Sequence, residues 1–215
     1  MVSKSFLIKP LAVAALLAVA GSAQATITVF TSQASFLAAV SAPGVDTYND
    51  LALTSVPSPI TRNAGVYGYT GTVSTTSFFN AGTTADVWLS TNTATDTITF
   101  NGFTGGVAAA GGNFFGSDIN GAFASGNLTL TATDASGTVT QTITNATTTG
   151  FLGFVSSGTL TSITITSVQP VSGFLWPTVN NLTLGVAAPI PEAQTYAMML
   201  AGLGFMGFLA RRRRG

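Results

Sequence analysis

The chain has 215 residues, no cysteine and no histidine, and its seven basic and seven acidic residues cancel to a formal net charge of zero. Those absences exclude disulfide staples, Ser-His-Asp and Cys-His nucleophilic sites, and the common zinc ligand sets. The zero hides an uneven distribution: the basic residues are Lys4, Lys9, Arg62, Arg211, Arg212, Arg213 and Arg214, so residues 26–185 keep one arginine against Asp46, Asp50, Asp86, Asp96, Asp118 and Asp134.

A stretch five charges negative does not attract phosphate backbones, which argues against nucleic acid as a partner. The first predicted element is a targeting segment. Lys4 and Lys9 precede an apolar run from Leu11 to Ala20, closed by Gly21-Ser22-Ala23-Gln24-Ala25. A basic start, a short apolar run and a small-x-small exit read as a secretory signal peptide over 1–25, with Ala23 and Ala25 before the cut and Thr26 after it. The competing reading is an uncleaved N-terminal anchor, against which the short run and its small-residue exit argue.

About 160 residues then remain before the tail, enough for one domain with its own core. A helix is expected from Thr31 to Val40, opened by a capping hydroxyl, with Phe36, Leu37 and Val40 on one side and Pro43-Gly44 beyond its end; it is expected to plug one end of the fold. Residues 49–63, with Pro57 and Pro59, read as an irregular loop or edge segment. Threonine then alternates with apolar residues at Thr97 to Phe100, Leu128 to Thr133 and Ile163 to Thr166, the period of a half-buried strand. Further strands are expected at 27–30, 66–70, 87–90, 107–115, 139–143, 151–155 and 178–184, and a hairpin at Asp134-Ala135-Ser136-Gly137. Roughly ten strands with short loops predict an all-β, two-sheet sandwich of jelly-roll type with one short N-terminal helix, over residues 26–185.

Chemistry-bearing residues are few. The pairs Asp46 with Asp50 and Asp86 with Asp96 are the candidates for glycosidase acid/base work, which needs carboxyls about 5 to 9.5 Å apart; the plainer reading is solvated aspartates. Asp118-Ile119-Asn120-Gly121 holds a fragment of a calcium loop without its later acidic ligand. Gly105-Gly106 and Gly111-Gly112 lack the Lys-Ser/Thr of a phosphate cradle and read as bulges or turns. Trp88 and Trp176, with Tyr67, Tyr69, Phe78 and Phe79, are candidates for a surface on which sugar rings stack, against core packing as the simpler role. The expectation is a non-catalytic domain with no cofactor and no metal.

The tail, residues 186–215, runs VAAPIPEAQTYAMMLAGLGFMGFLARRRRG. Its uncharged run from Tyr196 to Ala210 rises about 22 Å as a helix against a hydrocarbon core of about 30 Å. Tyr196 at the headgroup level and arginine stems reaching outward extend it to a short transmembrane helix. The alternative, a buried helix, conflicts with four adjacent arginines and with a run that has no polar face. By the positive-inside rule Arg211, Arg212, Arg213 and Arg214 stop translocation and leave the domain outside the inner membrane.

Pro191-Glu192, then Thr195 to Gly204, then the arginine cluster, resembles the PEP-CTERM sorting signal of Gram-negative bacteria. Ala193 stands where that family usually has a further proline. The resemblance implies recognition by exosortase, a membrane protease-transpeptidase, and an exported protein of the cell surface or extracellular matrix, in hosts that make exopolysaccharide and biofilm. Two other functions stay open for the domain, a carbohydrate-binding module and an Asp-dependent glycan hydrolase.

Overall fold

The structure, a computed structural model, describes residues 26–75, 77–189, 200, 202 and 203. The expected signal segment with Ala23 and Ala25 and the sorting residues Pro191, Glu192 and Tyr196 lie outside the described residues, as does nearly all of the apolar run from 196 to 210. The expected membrane stop, Arg211, Arg212, Arg213 and Arg214, lies outside them too. Among the described residues no helix is long and apolar enough to cross a membrane.

The chain opens with β1 (Ile27–Phe30), α1 (Gln33–Ala38), β2 (Val40–Asp46), β3 (Ser55–Pro57), β4 (Ile60–Ala64), β5 (Tyr67–Val73) and β6 (Ser77–Thr83). It continues through β7 (Asp86–Thr91), β8 (Ile98–Asn101), β9 (Ala109–Ser117), β10 (Phe123–Ala124) and β11 (Asn127–Asp134). The last four strands are β12 (Gly137–Ile143), β13 (Phe151–Ser156), β14 (Leu160–Val168) and β15 (Trp176–Ala187). They form two sheets whose neighbours pair antiparallel. The larger has the order β1-β13-β9-β15-β7-β6-β3, with β2 beside β15 and β10 beside β9; the smaller has the order β12-β11-β14-β8-β5-β4.

That order is a jelly roll. From β7 to β15, leaving aside the two-residue β10, the chain alternates between sheets at every step except the β11–β12 hairpin. This places β7-β15-β9-β13 in one sheet opposite β8-β14-β11-β12 in the other. Crossing at each step brings strands distant in sequence side by side, the double Greek key that gives this architecture its inward apolar faces. The alternating runs supply them: Ile98, Phe100, Leu128, Leu130, Ala132, Ile163 and Ile165 are all buried in the main core, while the threonines between them face out. The predicted hairpin closes on the pair Asp134 and Gly137.

The helix differs from expectation in extent and place. Ser32 caps it, not Thr31, and it is over by Ala39, because Val40 begins β2 and the Pro43-Gly44 pair lies inside that strand. Phe36 is buried, but Leu37 is not. Phe36 packs with Val40 and Ala109 in a cluster separate from the main core, beside Phe30, Phe151 and Val155. On β13 the residues Leu152 and Phe154 belong to the main core, so Phe151 and Val155 point to the opposite face. The helix therefore covers the outer face of the large sheet and plugs no end. Gly153 makes room for it, since a Cβ there would stand 2.5 Å from the Phe36 ring.

The segment 49–63 is both loop and edge. β3 and all but the last residue of β4 lie in it, and each forms one edge of its sheet. Gly105 and Gly106 take positive φ in a turn, whereas Gly111 and Gly112 sit inside β9. A Cβ on Gly112 would press on the backbone of Asn180 and Asn181, where β15 shifts register against β9.

Candidate functional site

β7 turns Leu89 into the main core and, by alternation, Trp88 and Ser90 to the outer face of the large sheet. The register sets what stands beside them. Phe79 on β6 is paired with Ser90, and Trp176 on β15 with Ser117 on β9. Phe79, Ser90, Trp176 and Ser117 thus meet across four neighbouring strands. The turn from Asp118 to Gly121 rises beside them and completes a cleft of about 190 Å³ that also touches Asn92 and Ile119.

Ser90 and Ser117 line the floor and, with Thr178 beneath them, form a ring of three buried hydroxyls. Ser90 Oγ and Ser117 Oγ are 3.2 Å apart, and each is 2.9 Å from Thr178 Oγ1. Ser90 also donates to the Pro177 carbonyl, at 3.1 Å. Two of the walls are aromatic. Half-buried Phe79 and Trp176 lie on either side, and the 66 % exposed Phe174 extends the wall with its ring centre 6.2 Å from that of Trp176. With Ser90, Thr91, Asn92, Ser117 and Asp118 lining it beside the two aromatic rings, the cleft has a mixed polar and apolar surface.

The other aromatic candidates lie elsewhere. Tyr67, Tyr69 and Phe78 are buried in the main core. Trp88 shares the outer face with the cleft but lines none of it: its ring stands edge-on to Phe115, 4.8 Å between centres, and its Nε1 donates to Asp86 Oδ2 at 2.8 Å.

The aspartates are engaged one by one. Asp46 and Asp50 converge, but on Arg62. The guanidinium donates from Nε and Nη2 to the two Asp46 oxygens, both at 2.7 Å, and from Nη2 and Nη1 to Asp50 at 2.6 and 3.2 Å. The bonds from Arg62 hold the Asp50 carboxyl below its ordinary pKa. This is the reverse of the raised pKa that a general acid needs. Asp86 accepts from Trp88 and Asn180, while Asp96 accepts from Ser74 and Thr75, and the two share no partner. Asp118 Oδ1 accepts backbone N–H groups of Asn120 and Ala122. Among the described residues no three acidic side chains come together.

Two polar clusters were not evident from residue order. The first joins β2, β4 and β5. Asp46 lies under Arg62, the Tyr69 hydroxyl donates to Asp46 Oδ2 at 2.7 Å, and the Tyr48 ring lies 5.3 Å from the guanidinium carbon. Burial opposes the arginine's charge, but its bonds to Asp46 and Asp50 outweigh that and raise its pKa. Burial likewise pushes the Tyr48 and Tyr69 hydroxyls well above the usual tyrosine range. The second cluster is at the hairpin. Asp134 Oδ1 accepts from the N–H groups of Ser136 and Gly137, and Oδ2 accepts from Ser156 on the other sheet at 2.6 Å. The Ser156 bond holds that carboxyl below its ordinary pKa, outweighing burial.

Compared with known proteins, the chain matches a family model, the PEP-CTERM protein-sorting motif, over residues 189–214. No curated protein and no solved structure matches it. The match takes in the Pro-Glu pair, the apolar run and the arginines Arg211, Arg212, Arg213 and Arg214, directly after the last strand of the jelly roll. The chain thus carries a PEP-CTERM protein-sorting motif, a signal that supports export and sorting by exosortase, at the C-terminal side of a β-sandwich.

Proposed function

We propose that this chain is a non-catalytic surface or matrix protein whose jelly roll binds neutral exopolysaccharide in the Phe79–Trp176 cleft. In this reading residues 1–25 direct export and are removed before Thr26. Arg211 to Arg214 stay on the cytoplasmic side, and the tail holds the domain at the periplasmic face until exosortase acts near Pro191-Glu192.

The observation that carries the binding role is the pairing of two half-buried aromatic walls with a hydroxyl floor. The apolar faces of sugar rings pack on aromatic planes, and their hydroxyls exchange bonds with Ser90 and Ser117. Among the described residues Asp118 is the only carboxylate lining the cleft, and one of its oxygens is committed to its own turn. A lone carboxylate supplies no acid/base pair for glycoside hydrolysis, and it disfavours anionic sugars.

The test is retention on immobilised exopolysaccharide from the producing cell. Trp176→Ala and Phe79→Ala should each weaken retention about tenfold, the effect of removing an anchoring aromatic worth more than about 1 kcal/mol. Thr131→Ala, on the opposite sheet, should leave retention unchanged. Parent protein that is not retained, or aromatic variants retained like the parent, would refute the cleft.

A further inference from the structure

Among the described residues six strands have a single partner, β1, β2, β3 and β10 in the larger sheet and β4 and β12 in the smaller, and their unpaired backbone groups invite another strand. Five of the six are blunted, β2 by Pro43 and Asp46 and β10 by its two-residue length. β3 has three residues and ends in Pro57, and β1 has four residues. β4 carries Arg62 and is approached so closely by β2 that a Cβ on Gly44 would collide with the Ala64 carbonyl.

β12 has none of these protections. Its seven residues, GTVTQTI, include no charge and no proline, and its register with β11 runs unbroken from Gly137 to Ile143. Among the described residues β11 is the one strand paired with it. In an antiparallel edge strand every second residue turns its N–H and C=O away from the partner. The Thr142 carbonyl accepts a 3.3 Å bond from the Gln141 side chain, which marks Thr142 as outward-turned, and with it Thr140 and Thr138. All three threonines are exposed.

We propose that β12 is a self-pairing edge, along which two copies of this chain join antiparallel about a two-fold axis at Gln141. Their two six-stranded sheets then become one. In this register Thr140 meets the partner's Thr142, and Val139 meets the partner's Ile143. The strand is therefore complementary to itself: threonine pairs with threonine on the outer face, as Thr131 and Thr140 already do within the chain at 2.9 Å, and aliphatic with aliphatic on the inner face. Charge selects the same edge. Within residues 26–185, one arginine against six aspartates makes two domains repel over most of their surface, whereas β12 brings no charge to the contact. Copies held on one membrane by their tails meet at high effective concentration, which favours a contact built on one strand.

The test uses the full chain in mild detergent. The chain has no cysteine, so Gln141→Cys introduces a single thiol. Facing residues of a non-hydrogen-bonded antiparallel pair have Cα atoms about 4.5 Å apart, within the disulfide range. Mild oxidation should convert Gln141→Cys to a covalent dimer and leave Thr99→Cys, in the middle of the same sheet, largely monomeric. Sedimentation should show a dimer for the parent and a monomer for Thr140→Lys/Thr142→Lys, with unchanged circular dichroism. A monomeric parent, equal cross-linking at Thr99→Cys, or a lysine variant that dimerises like the parent would overturn the proposal.

Discussion

Arg62→Ala tests how the fold is held at the buried ion pair between β4 and β2. Asp46 is 4 % exposed and Arg62 13 %, so removing the guanidinium leaves a carboxylate out of water. Its remaining donors are the Tyr69 hydroxyl and the Tyr48 N–H. Breaking a buried pair from one side costs about 3 to 5 kcal/mol, a large part of the roughly 5 to 15 kcal/mol that typically separates folded from unfolded. For a domain of this size each kcal/mol lowers the melting temperature by about 2 to 4 °C, so the expected fall is about 6 to 20 °C. Urea unfolding of residues 26–189 at pH 7, followed by tryptophan fluorescence, measures it. Asp50 is 69 % exposed, and Asp50→Asn should cost less than about 1 kcal/mol. Adding Asp46→Asn to Arg62→Ala should restore part of the loss, because the orphaned charge is gone. An Arg62→Ala protein within about 1 kcal/mol of the parent would refute the assignment of Arg62 as the lock on β2, β4 and β5.

Stability should be flat between about pH 5 and 8, because the chain has no histidine. Asp50 and Asp134 have folded pKa values below the ordinary one, so their contribution is present above about pH 4 and is lost as pH falls through the folded values. Tyr48 and Tyr69 are raised, so theirs is present below about pH 10 and is lost above it; unfolding midpoints across pH would expose a wrong sign at either end. Gly153→Ala should destabilise by about 1 to 3 kcal/mol, because the new methyl meets a Phe36 ring already hemmed by Phe30 and Phe151, and a neutral substitution would contradict the packing of α1. Residues 26–189 alone should be soluble with a β-dominated far-ultraviolet spectrum, whereas a helical spectrum would rule out the sandwich.

The strands that are legible in the sequence are those with one wet and one dry face. On β8, on β11 and over Ile163 to Thr166 of β14, threonine alternates with aliphatic or aromatic residues, and the register follows that pattern until it shifts between Thr133 and Asp134, where Ser162 interrupts the alternation. β2, β4 and β6 lack it. β2 contains Pro43-Gly44, β4 carries Arg62-Asn63, and β6 sets two phenylalanines side by side. Each is held by its neighbours more than by its own periodicity. The cleft was legible only in part: Trp176 stands out by residue type, whereas its approach to Phe79, Ser90 and Ser117 depends on the pairing of β6, β7, β15 and β9. Such pairing is a product of the double Greek key, and no local spacing encodes it. The Arg62 cluster is likewise non-local, although an isolated arginine among six aspartates is a compositional hint of an ion pair.

The most direct test of the sorting account is fractionation of the producing cell, its own exosortase present, after changing the two parts of the tail separately. In the sequence Glu192 follows Pro191 just before the apolar run, which in the proposed topology puts it within reach of a periplasm-facing active site. In the proposed topology the arginines would act by their cost of crossing the bilayer, about 2.5 to 3.5 kcal/mol each. Glu192→Ala should therefore leave a full-length, correctly oriented precursor in the membrane, and replacing Arg211, Arg212, Arg213 and Arg214 with serine should let the precursor slip through. Both variants processed and released like the parent would contradict it, and the tail would be an anchor alone.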